Sequence, residues 1–189
     1  MHKSDRKTEI VNIASKLFRE RGYSAVTMRD IAQAMDIKAA SLYNHIKSKQ
    51  EILSLMIISI AEEYTATINE IVNSDASAIE KLERVIKLHV DSTVRNPDAL
   101  ASLNNDWMHL DKSDLAYFLQ MREEYEEKFR SIITKGIADK EVKNLNREVV
   151  IFSVLSTLRT LYLWYGKRPG FSEANLHADL PQILLRGII

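Results

Sequence analysis

The sequence predicts an all-α fold, and three observations carry that prediction. Only five glycines and three prolines occur in 189 residues, well under the combined share of about 12 % in an average chain. Apolar residues recur at intervals of three and four along most of the chain, which is the helical period rather than the alternation of a half-buried strand. Helix-start signals, a Ser or Thr followed three residues later by an acid, stand ahead of several of these runs.

About nine helices follow in order. The first spans about 4–21, with Ile10, Ile13, Ala14, Leu17 and Phe18 on one stripe. Two short helices come next, about 28–35 and 39–45, the first capped by Thr27 with Asp30 reciprocating. A long helix, about 49–73, opens on the pair Ser48 and Glu51 and carries Ile52, Leu53, Met56, Ile57, Ile60, Tyr64, Ile68 and Ile71. Ser77 and Glu80 open the helix at about 78–95. Asn96 and the first-turn proline Pro97 open a short segment to about 109. Helices at about 112–135, 147–165 and 173–187 complete the chain. Gly22, Gly136 and Gly166 each follow an amphipathic run and are expected as left-handed helix ends. Pro181 lies inside the last helix and is expected to kink it or delay its start.

Composition narrows the function classes. Hydrophobic residues make up 46 % and charged ones 28 %, an ordinary globular balance. With no cysteine, disulfides, thiolate metal sites and a cysteine nucleophile are excluded. The longest apolar run, Leu53 to Ala61, is too short for a membrane span of ~20 residues. The polar N-terminus has no signal-peptide core, so a cytoplasmic protein is expected. The 26 basic and 26 acidic residues cancel, but not evenly. Residues 1–50 hold 10 Lys and Arg against 5 Asp and Glu, and residues 51–189 hold 16 against 21. A basic head on an acidic body suggests two tasks and two domains, 1–48 and 49–189.

The head contains the most informative stretch, residues 27–46. Ile31, Ala32 and Met35 form the inward face of one short helix. Asp36 tolerates the left-handed conformation of a tight turn, and Ile37 packs inward. Leu42 and Ile46, four apart, point the next helix's apolar side down. Lys38, Ser41, Tyr43, Asn44 and His45 are then free to face outward. Helix, short turn, helix is the arrangement that sets a recognition helix into the major groove.

On three blocks the chain resembles the tetracycline-repressor (TetR) family. They are Ala14-Ser15-Lys16-Leu17-Phe18-Arg19-Glu20-Arg21-Gly22-Tyr23, then Thr27-Met28-Arg29-Asp30-Ile31-Ala32, then residues 41–53 from Ser41-Leu42-Tyr43 to Ile52-Leu53. Asp36 replaces the usual turn glycine, Lys38 a frequent Ser or Thr cap, and Ile46 the usual Phe. The resemblance implies an N-terminal three-helix DNA-binding domain with a helix-turn-helix, joined to a C-terminal helical ligand-binding and dimerisation domain. It implies phosphate contacts at Thr27, Tyr43 and Lys49. Base-side positions are implied at Arg29, Lys38, Ala39, Ala40, Asn44 and His45. The implied partner is a palindromic double-stranded DNA operator, bound by a homodimer as a repressor.

The family's dimer face uses the last two helices, and here the sequence agrees. The helix at 147–165 is apolar beyond one core-facing stripe. Phe152, Leu155, Leu158, Leu176, Leu180, Ile183 and Leu184 are the interface candidates. The resemblance also implies a small-molecule pocket, with Tyr64, Trp107, Phe118, Tyr125, Leu155 and Tyr162 as candidate lining. His89, Arg122 and Arg159 are polar groups on otherwise apolar faces, with Glu63, Asp91 or Asp106 as internal partners. A small hydrophobic effector follows, acyl-CoA-like or an aromatic acid, that releases the operator. The rival readings are a helical protein-interaction module without specific DNA binding, and an activator of the same fold. An enzyme is not expected: His2, His45, His89, His109 and His177 are scattered and no hydrolase or metalloprotease motif occurs. Asp106 and His109, three apart, stand alone where a di-metal bundle wants two such pairs and two further carboxylates. His89 with His109 is the other metal arrangement the sequence suggests, and neither metal nor cofactor is expected.

Overall fold

A computed structural model describes residues 3–189, with side chains from Arg6 onward; His2 lies outside the described residues. The described residues form nine α-helices, one 3₁₀ turn and no strand. The helices are α1 (Lys3–Arg21), α2 (Met28–Ala34), α3 (Ala39–Tyr43), α4 (Lys49–Asn73), α5 (Ala78–Arg95), α6 (Pro97–Asn105), α7 (Lys112–Ala138), α8 (Arg147–Tyr165) and α9 (Glu173–Leu185), with the 3₁₀ turn at Trp107–His109. None of the described helices is long and apolar enough to cross a membrane. By packing, the chain divides into two units. One joins the residues through Ala61 with Asp98–Leu119, and the other joins Glu62–Pro97 with Gln120–Ile189.

In the first unit, four residues of the stripe read on α1 are core, Ile10, Ala14, Leu17 and Phe18, and the fifth, Ile13, is half-buried. Gly22 takes φ +83 and its N–H bonds to the Phe18 carbonyl at 2.8 Å, so it ends α1 as a left-handed residue. Thr27 and Asp30 close a complete capping box on α2. Asp36 holds φ +52 in the turn to α3, as its short polar side chain permits. α3 ends at Tyr43, two residues earlier than the spacing suggests, and the His45 N–H turns back to the Leu42 carbonyl at 3.0 Å. At the start of α4 the Glu51 N–H bonds to Ser48 Oγ at 3.0 Å. The Glu51 carboxylate accepts from the Lys47 N–H at 2.7 Å, one residue upstream of the expected reciprocal bond.

In the second unit, Ser77 and Glu80 cap α5 as expected. α5 packs against both α8 and α9. Two glycines behave differently from their sequence reading. Gly166 ends α8 with an ordinary right-handed φ of −63. Gly136 lies inside α7, where a Cβ would fall 2.7 Å from Val142 Cγ2 and 2.8 Å from Ala78 Cβ. Its role is close approach of chain segments, and Lys140 supplies the left-handed residue beyond the helix, at φ +62. The Glu141 carboxylate then accepts the N–H groups of Ala78 and Ile79, at 2.7 and 3.3 Å, at the start of α5. Arg130 grips Glu148 with two bonds of 2.9 Å, fixing the start of α8 against α7. α9 starts at Glu173 and runs through Pro181 to Leu185, so the proline does not delay its start.

Candidate nucleic-acid interface and effector region

The helix-turn-helix is held from below and open above. Leu42 and Ile46 are fully buried and Ile31 and Ala32 join them, which leaves the opposite side of α3 in solvent. Ala40, Ser41, Tyr43 and Asn44 are exposed, and so are Thr27, Arg29 and Lys38 at the starts of the two helices. Ala39 and His45 are half-buried, and His45 Nδ1 is shielded with no hydrogen-bond partner. Lys38 precedes α3 in extended conformation and makes no side-chain cap. α2 carries the negative charge of Asp30, whose carboxyl is held below its usual range by hydrogen bonds from Thr27. A phosphate contact through Thr27 therefore competes with an acid already bound to its hydroxyl and N–H.

Lys49 requires a correction. Its Nζ donates to the carbonyls of Tyr23 and Val26, both at 2.7 Å, and lies 4.3 Å from the centroid of the Tyr23 ring. It braces the α1–α2 connection instead of reaching out for phosphate. Burial lowers its ammonium pKa, consistent with this enclosure. The other face of that corner is built by His109, whose ring stacks on Tyr23 with centroids 5.1 Å apart. Gln50 Nε2 donates to the His109 carbonyl at 3.1 Å. The 3₁₀ turn after α6 is thus fastened to the helix-turn-helix head within one packing unit.

The nine effector candidates separate by unit. Trp107 and Phe118 belong to the first unit, with ring centroids 6.1 Å apart. Tyr64, His89, Arg122, Tyr125, Leu155, Arg159 and Tyr162 belong to the second. Three of these meet in a buried cluster: His89 Nε2 and the Tyr125 hydroxyl are 2.9 Å apart, and the Tyr64 ring lies 4.8 Å from His89 and 5.8 Å from Tyr125. Burial dominates their chemistry. It pushes the Tyr64 hydroxyl up to about 12 and lowers the His89 imidazole to about 3, with the Arg159 charge adding to the fall. His89 is neutral at every physiological pH. Leu155 and Tyr162 are buried.

The two arginines find a partner the sequence reading did not name. Arg159 Nη2 donates to Glu126 Oε1 at 2.6 Å, and Arg122 Nε lies 3.7 Å from the same oxygen. Arg122 projects outward, its side chain 41 % exposed, so its place on the apolar stripe is a misreading. Glu63 pairs with Arg95 and Asp91 with His177. The i, i+4 spacing of Arg122 and Glu126 was the signal available for this.

The dimer candidates also divide. Leu155, Leu158 and Leu176 are buried inside their own unit and offer little surface to a partner, which corrects their assignment. Phe152 and Ile183 are each 71 % exposed, while Leu180 and Leu184 are half-buried. Val149, Leu163 and Trp164 extend the exposed apolar strip on α8. Their spacing from Phe152 marks an outward stripe that the residue-type reading had merged with the core.

His89 and His109, the pair weighed as a metal arrangement, belong to different packing units, with His89 Nε2 2.9 Å from the Tyr125 hydroxyl and the His109 ring stacked on Tyr23. A different group, Asp91, Glu173 and His177, brings one ligand atom from each residue within 4.8 Å of the others. Its sequence signal was Glu173 and His177, four apart on α9.

Comparison with known proteins places these features in a family. Residues 10–56 match the model for bacterial regulatory proteins of the tetR family, and residues 75–188 match the tetracyclin repressor-like C-terminal domain. The HTH-type transcriptional repressor KstR2 of Rhodococcus jostii (strain RHA1) is 28 % identical over 172 residues, 90 % of this chain and 83 % of that protein. The structure of the ketosteroid transcriptional regulator KstR2 of Mycobacterium tuberculosis superposes with a TM-score of 0.89 at 24 % identity, over 97 % of this chain and 94 % of that one. AibR, solved in complex with isovaleryl coenzyme A and operator DNA, gives 0.79 at 18 % identity, over 94 % and 97 %. At these identities the two structures speak for the fold.

Proposed function

The chain belongs to the tetracycline-repressor family of DNA-binding transcriptional regulators, and on that premise we propose that it is a repressor released from its operator by a small hydrophobic acid. Residues 1–48 bind DNA in this reading, and residues 49–189 bind effector and a second copy of the chain. The observation that carries it is the outward side of α3, with Tyr43 52 % exposed beside Ala40, Ser41 and Asn44 over a fully buried Leu42. Asn suits adenine, an Ala methyl meets thymine, and a tyrosine hydroxyl meets phosphate.

Two copies joined through Val149, Phe152, Leu163 and Ile183 place two heads on one palindrome, with half-sites about 34–36 Å apart or a multiple of that. The effector reading is supported by the tyrosine and histidine cluster of the second unit and the arginine near it. AibR, the relative solved with a coenzyme A thioester, supports a hydrophobic acid carried free or as its thioester. The effector acts by its differential affinity for the operator-bound and released geometries. α4 is one continuous helix from Lys49 to Asn73 and so carries residues of both packing units.

Shift assays with genomic fragments over a salt series test the core of this reading. Specific retention that weakens linearly in log affinity against log salt is expected; no specific retention at any salt concentration overturns it. A thermal-shift panel of fatty acids, acyl-CoAs and aromatic acids tests the effector class. Stabilisation by neutral or cationic compounds alone rejects it.

A further inference from the structure

We propose that Asp91, Glu173 and His177 form a binding site for a divalent transition-metal ion of the zinc type, joining α5 to α9. His177 Nε2 lies 3.2 Å from Asp91 Oδ1 and 3.5 Å from Glu173 Oε1, and all three ligand atoms fall within 4.8 Å of one another. Zinc bonds nitrogen and carboxylate oxygen at about 2.0–2.2 Å. Two ligands at that length, set at the tetrahedral angle, stand roughly 3.4 Å apart. Both contacts to His177 already have about this edge length, and the third edge, between Asp91 and Glu173, is no longer than 4.8 Å, so the two carboxylates have at most a short distance to close around an ion.

The backbone presents the ligands on firm supports. Glu173 and His177 are four apart on α9 and therefore share a face. Asp91 comes from α5, which packs directly against α9. Asp91 and His177 are half-buried, so water does not screen them fully. One imidazole and two carboxylates form a mixed nitrogen and oxygen set, suited to zinc and its neighbours; magnesium and calcium favour all-oxygen sites.

Three protein ligands leave a fourth tetrahedral position open. Asp91 and His177 line a cleft of about 960 Å³, together with Glu80, Arg84, Lys87 and Gln182. The open position is available to water or to an anionic ligand entering that cleft. The competing account is a plain ion pair, in which a protonated His177 sits between two carboxylates and no metal binds.

The experiment uses the full-length, tag-free chain after chelator treatment and dialysis. Titration calorimetry with Zn²⁺ is expected to show one ion per chain. Co²⁺ substitution is expected to give visible d–d absorption of four-coordinate strength. His177→Gln and Asp91→Asn should each weaken Zn²⁺ binding at least 10-fold and remove the cobalt bands, with far-UV circular dichroism unchanged. Zn²⁺ should also raise the thermal midpoint of the parent chain and not that of His177→Gln. Absence of binding below ~1 mM, a weak limit of about −4 kcal/mol, overturns the proposal. So does binding that both variants retain, because the ion then sits elsewhere. Operator retention is read in a separate assay, so failure here leaves the regulatory reading untouched.

Discussion

The helix-turn-helix and the His89 cluster use polar side chains in opposite ways. Around α3 the polar groups face outward, and the helix is held by two aliphatic side chains, Leu42 and Ile46, beneath it. Around His89 the polar groups face inward, and one hydrogen bond of 2.9 Å to Tyr125 compensates for the loss of water. The first arrangement separates stability from recognition, so one can be altered without the other. The second fuses them, because a buried imidazole without its partner is destabilising.

The largest expected effect breaks the first arrangement from below. Leu42→Ala removes a side chain with no exposure and should cost about 2–5 kcal/mol in urea unfolding, the usual range for a core leucine. Specific DNA retention should fall with it. A loss under 1 kcal/mol would show that α3 is held by something other than its core contact.

Next is the pH dependence of the buried cluster. Burial holds folded His89 at about 3, below the ordinary 6.5. The unfolded chain therefore binds the proton first as pH falls. Its contribution to stability is complete above pH 6.5 and is lost progressively between 6.5 and 3. Between pH 7.5 and 5.0 the loss amounts to about 2 kcal/mol from this group. His89→Gln, neutral throughout, should unfold with a correspondingly shallower pH dependence. Parallel profiles for the two proteins would place the pH dependence elsewhere.

A smaller effect concerns the edge of the recognition unit. Thr27→Ala removes the side chain that caps α2 and should cost about 1 kcal/mol in thermal or urea unfolding. The smallest is Tyr43→Phe, which keeps the ring and loses a hydroxyl in solvent. Stability should stay within ~0.5 kcal/mol, while affinity for all DNA sequences should fall alike. A drop confined to one operator variant would move Tyr43 from phosphate to base recognition.

This contrast also explains what the sequence made legible. Thr27 with Asp30, and Ser77 with Glu80, were readable because a capping box spans four residues. Leu42 and Ile46 were readable because the core of a short helix is set by its own spacing. Gly136 was misread because the atoms that exclude a Cβ belong to Val142 and Ala78, one of them on another helix. Lys49 was misread for a similar reason: a basic residue beside a recognition helix suggests phosphate, but its donors serve the loop carbonyls of Tyr23 and Val26. For α8, an excess of apolar residues announced two faces without telling which was which. Leu155 and Leu158 turned to the core and Phe152 to solvent. The division of the effector candidates between two units had no local signature, because residues 98–119 pack with the first unit while their chain neighbours on both sides belong to the second.

Glu141 occupies a place that would otherwise attract an anion. The start of a helix is a natural seat for a carboxylate, and at α5 that seat is taken by Glu141, bonded to the N–H groups of Ala78 and Ile79. The chain thus carries its own tethered competitor there, at an effective concentration that a free anion in solution does not match. An incoming acid gains nothing by evicting it, since one carboxylate merely exchanges for another. On the proposed reading, an acidic effector therefore finds no free seat at the start of α5.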